Sequence, residues 1–191
     1  MVTITLEKAF QTIPPISWFL LQPPSTLHGI AHTSRVMIWA SILSHNTPWF
    51  TPVFWAAACH DLRRMDDGKD PEHGVRAGIW VQENLSSYHR LSRDLLEIIA
   101  NACTWHTAHD EASKWKHPVL FYLKDADALD RVRLGDLNPN YLRFPETHEL
   151  LPLAEQLYVR TKNCENPFQI WQIASSIIPL LNDIKTDVEM N

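Results

Sequence analysis

Apolar residues recur at helical spacing through most of the chain, and prolines mark where each run stops. Residues 1–11 read as a short helix ended by Pro14-Pro15. After Pro23-Pro24, either Ser25 or Thr26 is placed to cap a second helix running to about Ser44. Its apolar stripe is Leu27, Ile30, Ser34, Met37 and either Ile38 or Ser41, the pattern of an amphipathic helix. Asn46-Thr47-Pro48 breaks the pattern, and Thr51-Pro52 opens a third helix with proline at its first position. That helix, from Val53 to about Arg64, is apolar nearly all round until its final turn. It is therefore expected to be the central, most buried helix, with His60-Asp61 near its end.

A polar loop, Asp66-Asp67-Gly68-Lys69-Asp70-Pro71, follows, with Asp70 best placed to cap the next helix. Further helices are expected over about 71–84, 92–106 and from Pro118 through Asp130. The core side of the fifth is Leu95, Leu96, Ile98, Ile99 and Ala102. Two more are expected over about 146–162 and 167–186. No segment alternates convincingly as a strand does. The fold class is all-α: a bundle of about seven or eight helices, one domain over residues 1–191.

Composition narrows the function classes. At 45% hydrophobic and 20% charged residues, the chain has the balance of an ordinary globular protein. Thirteen prolines against five glycines suit helices joined by stiff corners. A net charge of −5 argues against binding a nucleic-acid polymer, but leaves a small anionic substrate open if positive charge is local. Cys59, Cys103 and Cys164 are odd in number and widely spaced, which reads as packed thiols in a reducing compartment. There is no basic n-region, and the longest apolar run, 53–59, is far below membrane-spanning length. The expectation is a cytoplasmic protein with no membrane partner; a homodimer is left open.

Histidines and aspartates are distributed over successive helices. His28 and His32 are four apart and share a face, with Arg35 less than a turn further on. His60 and Asp61 follow, then His73, then His106, then Asp125, Asp127 and Asp130 on the sixth helix. Imidazoles with carboxylates make a mixed nitrogen and oxygen set, suited to Mn, Fe, Co, Ni or Zn. The set is large enough for one or two ions, and two ions roughly 3.5–4 Å apart can clamp a displacement at phosphorus. Asp61 is the natural bridging carboxylate. His109 rivals His106, because it lies in the same polar turn. His45, His89, His117 and His148 read as surface residues, and the eight tryptophans as packing, with Trp105 placed to line a base pocket.

The order His32, His60-Asp61, Asp127 resembles the HD-domain metal-dependent phosphohydrolase superfamily. Leu123-Lys124-Asp125-Ala126-Asp127-Ala128-Leu129-Asp130-Arg131 is similar to its K-x-A-D-x-L-x-x-x-R stretch. The resemblance covers about residues 25–135 as the metal-binding core, and implies Asp127 rather than Asp125 or Asp130 as the last ligand. His73-Gly74-x-x-Ala77 and Trp105-His106-Thr107 resemble elements of dinuclear bacterial HD proteins that hydrolyse dinucleoside polyphosphates. That likeness implies His73 and His106 as ligands of a second ion. The loop between Asp61 and His73 departs from the pattern, and the glycine usual after the His-Thr pair is absent.

The expected activity is hydrolysis of a phosphate ester or phosphoanhydride, with a nucleotide as the small phosphorylated substrate. Metal ligands are expected at His32, His60, Asp61, His73, His106 and Asp127. Asp61, His28 and Lys124 are the candidate catalytic groups, His28 as a general acid. Arg35, Arg64 and Lys124 are candidates for holding phosphate oxygens. A di-iron oxygenase cleaving C–C or C–P bonds, and a non-catalytic nucleotide sensor, are the alternatives that the same residues permit.

Overall fold

The computed structural model describes residues 3–88, 90–184 and 188–189. Among these the protein is all-α, apart from one two-residue antiparallel pairing of Thr3–Ile4 with Val188–Glu189 near the two ends of the chain. Helix α1 is Leu6–Phe10, capped by the Thr5 side chain on the Lys8 N–H. It is shorter than expected from the pattern of residues 1–11, because residues 3–4 pair as a strand instead.

Two helices form the centre. Helix α2 is Ile30–Leu43 and α3 is Phe50–Cys59. The residues from Pro52 to Cys59 are all buried, as their apolar run predicts. Helix α2 differs from expectation. Its residues from His32 to Ser41 are buried on every side rather than along one stripe, because α3 and the helices Pro118–Asp130 and Pro167–Ile177 pack around it. It also begins later. The Ser25 hydroxyl accepts the N–H groups of Leu27 and His28, as a cap would. The chain then leaves helical geometry at Gly29, whose ψ is −143°, and the helix starts only at Ile30. A Cβ at Gly29 would stand 2.0 Å from the Ser25 carbonyl oxygen, so the turn requires glycine there. His28 and His32 therefore do not share one helix.

Helix α4 is His73–Trp80, continued by a π turn at Val81–Leu85 and a last turn, α5, at Ser86–Tyr88. Asp70 does not cap α4; its carboxylate takes the Met65 N–H and the Arg76 guanidinium, pinning the loop. Helix α6 is Arg93–Trp105, capped by Ser92, with Ile99, Ala100, Ala102 and Cys103 fully buried. Helix α7 is Pro118–Asp130. His117, expected at the surface, caps it by accepting the Val119 N–H, and its ring stacks on Trp115. The predicted helix over 146–162 is divided at Leu150 into α8, Pro145–Glu149, and α9, Leu151–Thr161, with Pro152 at the new start. Helices α10, Pro167–Ile177, and α11, Leu180–Asp183, follow, and Thr186 and His89 lie outside the described residues.

Helices α4 and α6 meet almost backbone to backbone. A Cβ at Gly74 would come within 2.7 Å of the Cys103 carbonyl oxygen, and one at Gly78 within 2.7 Å of that of Ala100. Only glycine permits this approach, and it carries His73 to His106. No helix of the described residues is long and apolar enough to cross a membrane. Cys59, Cys103 and Cys164 are free thiols, the first two buried.

Candidate metal centre

His60 ends α3 and Asp61 follows in the next turn, so both project from the end of the most apolar helix. Helix α2 contributes His32, α4 His73, the residue after α6 His106, and α7 Asp127. His32 and His60 are fully buried, and the Asp61 and His73 side chains nearly so.

The protonation of each ring follows from its neighbours. His32 Nδ1 lies 2.7 Å from an Asp130 carboxylate oxygen. His60 Nδ1 lies 2.8 Å from the Ala57 carbonyl, and His106 Nδ1 2.6 Å from that of Cys103. His73 Nδ1 meets the Asp70 carbonyl. All four partners only accept, so in each ring Nδ1 donates and Nε2 of the neutral imidazole carries a lone pair. Yet the Nε2 atoms of His32 and His60 face each other at 3.2 Å, and those of His73 and His106 at 3.0 Å. Two lone pairs at that distance repel unless a cation lies between them. Imidazoles whose outer nitrogen is fixed by a carboxylate or carbonyl are the form in which histidine binds metal.

Asp61 stands between the two pairs. Its Oδ2 is 3.4 Å from His32 Nε2 and 3.9 Å from His60 Nε2; its Oδ1 is 2.9 Å from His73 Nε2 and 3.7 Å from His106 Nε2. Asp127 Oδ1 lies 3.5 Å from His32 Nε2 and 4.0 Å from His60 Nε2. Ligands held at roughly 2.1 Å from an ion are separated by about 3.0–3.4 Å in octahedral or tetrahedral arrangement. The observed edges fit that range with small adjustment. Groups that could hold an ion are His32, His60 and Asp127; Asp61, His73 and His106; and His28, His32 and Asp61.

The electrostatics agree. Burial would raise the Asp61 carboxyl, but the imidazoles around it, His60 first and then His106, His28 and His32, hold it well below the usual range. Burial acts likewise on Asp127, and His32 and His60 overcome it, so it too stays ionised. Burial drives His60 down to about 4, keeping it neutral. For His32, burial and Arg133 lower the pKa, but the carboxylates of Asp130 and Asp61 outweigh them and the net shift is upward.

The other expected residues fall differently. Asp125 is fully buried and accepts the N–H groups of Arg143 and Phe144 and the Thr147 hydroxyl, so it fastens α8 to α7. Arg35 turns inward, grips Asp130 with two nitrogens and lies over the Tyr158 ring; it is no phosphate ligand in this arrangement. Arg64 covers His73, with Nη1 3.3 Å from its Nδ1 and 3.7 Å from Asp61 Oδ1. His28, off the helix, still reaches the group: its Nδ1 is 3.1 Å from Asp61 Oδ2. His109 is exposed and joins none of the three donor groups, which favours His106 over it.

Asp127 is 30% exposed. It and His106 border a cavity of about 610 Å³, whose wall also includes Lys124, Arg143, Asp110 and Tyr141. Lys124 donates to the Ala108 carbonyl and to Asp110. Trp105 does not line the cavity. Three participants had not been given these roles from the sequence. Arg133 reaches His28 Nδ1 at 3.0 Å, Asp130 orients His32, and Arg143 enters the cavity from a loop beyond α7. Of these only Asp130 had a readable cue, its place one turn beyond Asp127 on the same helix.

No family model, curated protein or solved structure matches the chain.

Proposed function

We propose that this protein is a metal-dependent hydrolase of a phosphate ester or phosphoanhydride, of HD type, with a nucleotide as substrate. The observation that carries the reading is Asp61, whose two oxygens face two separate pairs of imidazoles with opposed lone pairs. A divalent ion bound there supplies Lewis acidity toward phosphoryl oxygens and lowers the pKa of its water toward neutrality.

The chain's own groups perform the remaining tasks. Asp61 and Asp127 stay ionised and bring negative charge to balance the ions. Asp130 and the backbone carbonyls of Ala57, Asp70 and Cys103 hold the imidazoles in the tautomer that offers Nε2. Arg64 beside His73 and Lys124 on the cavity wall bring positive charge to where phosphoryl oxygens gather. The His28 ring, its Nδ1 3.1 Å from Asp61 Oδ2 and 3.0 Å from Arg133 Nη2, carries its proton at the edge of the donor cluster. From there the proton is available to a leaving oxygen.

The test is direct. Protein loaded with Mn, Fe, Co, Ni or Zn is assayed for phosphate release from a nucleotide panel. Release that depends on metal and is lost in Asp61→Asn is expected. Full metal loading without release from any nucleotide, or substrate-dependent oxygen uptake by the iron form, overturns the reading.

A further inference from the structure

The cavity beside Asp127 holds a second charged assembly. Lys124 and Arg143 converge on one carboxylate, that of Asp110. Lys124 Nζ donates to Asp110 Oδ1 at 2.6 Å. Arg143 grips the same group as a fork, Nη2 to Oδ1 at 2.8 Å and Nε to Oδ2 at 2.9 Å. Its Nη1 donates elsewhere, to Asp125 at 2.9 Å and to the Tyr141 carbonyl at 3.0 Å.

The two aspartates are not equivalent. Asp125 is fully buried and anchored by backbone and hydroxyl donors, so it belongs to the frame of the fold. The Asp110 side chain is 44% exposed and stands in the non-helical segment between α6 and α7. One edge of Arg143 is thus fixed from within, while the other, together with Lys124, faces a carboxylate that solvent can reach. A second cavity of about 280 Å³, with Phe121 and Phe144 on its wall, adjoins the same Asp110–Arg143 pair. The pair separates the two spaces.

We propose that Lys124 and the Nε–Nη2 edge of Arg143 form a phosphate-binding subsite, occupied in the free protein by Asp110, and that the substrate carries a second phosphoryl group that displaces it. This deepens the phosphohydrolase reading and rests on it for the identity of the ligand as a substrate; the binding itself needs no turnover. The guanidinium fork matches two oxygens of a phosphate, and the ammonium adds a third donor. Lys124 and Asp127 are three apart on α7 and therefore neighbours on one face, so the second phosphoryl group lies within a helical turn of the metal-facing carboxylate. A simple monophosphate ester would reach only one of the two positions. Asp110 acts as an internal competitor, and apparent affinity falls by the fraction of time that it fills the clamp. The Arg143 hydrogen bond, working against burial and aided by Lys124, holds the Asp110 carboxyl down at about 2, so the competitor stays charged at any working pH.

The experiment uses whole protein stripped of metal and inorganic phosphate as the probe, read by calorimetric titration. Asp110→Asn should bind phosphate about tenfold more tightly than the native chain, the order expected for removing one competing ion pair. Adding Lys124→Gln to that variant should remove the gain. In the native chain, phosphate should speed amide exchange at Ala112 and Ser113, whose N–H groups fold back on the His109 carbonyl. If Asp110→Asn does not fold, that exchange measurement decides alone. Unchanged or weaker phosphate binding in Asp110→Asn, a gain that survives Lys124→Gln, unchanged exchange in the native chain, or acetate binding as tightly as phosphate would each overturn the proposal. Phosphate binding as expected without hydrolysis of any nucleotide leaves the subsite standing and removes the reaction.

Discussion

The two halves of the donor cluster are built differently, although they share Asp61. The inner half, His32 and His60, comes from α2 and the end of α3, and both rings are fully buried. Behind it stands a charged pair, Asp130 with Arg35, itself sealed in the core. The outer half, His73 and His106, comes from the start of α4 and the residue just past α6. Its outer nitrogens are held by backbone carbonyls, one of them in the polar loop that ends at α4. The inner half is thus organised by the core whether or not an ion is present. The outer half depends on a loop and on the glycine contact between α4 and α6. Geometry held by the core resists local opening, and geometry held by loops does not.

The largest expected effect removes the distinction. Asp61→Ala takes the shared carboxylate from both halves, and metal content measured by mass spectrometry should fall to background. An ion retained in this variant would show that one half binds without the bridge.

Next is the contrast in stability. Asp130→Asn leaves Arg35 buried without its partner, which should cost about 3–5 kcal/mol in denaturant unfolding of the metal-free protein. His73→Ala should cost distinctly less and remove one ion of two. Equal losses in the two variants would erase the inner and outer difference.

The pH response should sharpen it. His60 has a folded pKa of about 4 against an ordinary 6.5. Between those values the unfolded chain binds a proton that the folded chain refuses, so stability falls as pH drops through this window. The shift corresponds to about 3 kcal/mol. His32 works in the opposite sense: its raised folded pKa adds stability that is fully present below pH 6.5 and lost as pH rises through the folded value. Imidazole titration by NMR in metal-free protein should therefore find His60 near 4 and His32 above 6.5. His60→Gln should flatten the acid limb of the stability curve. Both rings titrating together would break the account of the inner half.

The smallest effect is a control. His109→Ala, exposed and outside the three donor groups, should leave metal content unchanged and stability within about 0.5 kcal/mol.

Much of this was readable along the chain, for reasons that differ by residue. The buried character of α3 follows from an unbroken apolar run, and the starts of α6 and α7 from Ser92 and from Pro118. The placing of His60-Asp61 at a helix end follows from where that run meets polar residues. The late start of α2 was hidden, because Ser25 does form a capping turn and only the backbone at Gly29 cancels it. The full burial of α2 was hidden as well. Its apolar stripe resembles a one-sided helix until the neighbours that cover its other faces are known.

The sequence alone determined the all-α class, several helix ends and the residue types able to bind a cation, since those depend on near neighbours in the chain. Tertiary structure alone decided what each polar group faces. It turned Arg35 toward Asp130 and away from the cavity, brought His28 to Asp61 from outside the helix, and set Arg143 against Asp110. Most decisively, it set the Nε2 atoms of His32 and His60, and those of His73 and His106, against each other on the two sides of Asp61. Those pairings join residues some thirty to a hundred positions apart, and no local periodicity encodes them. They are fixed by how the helices pack, and by the high cost of leaving a buried polar group without a partner.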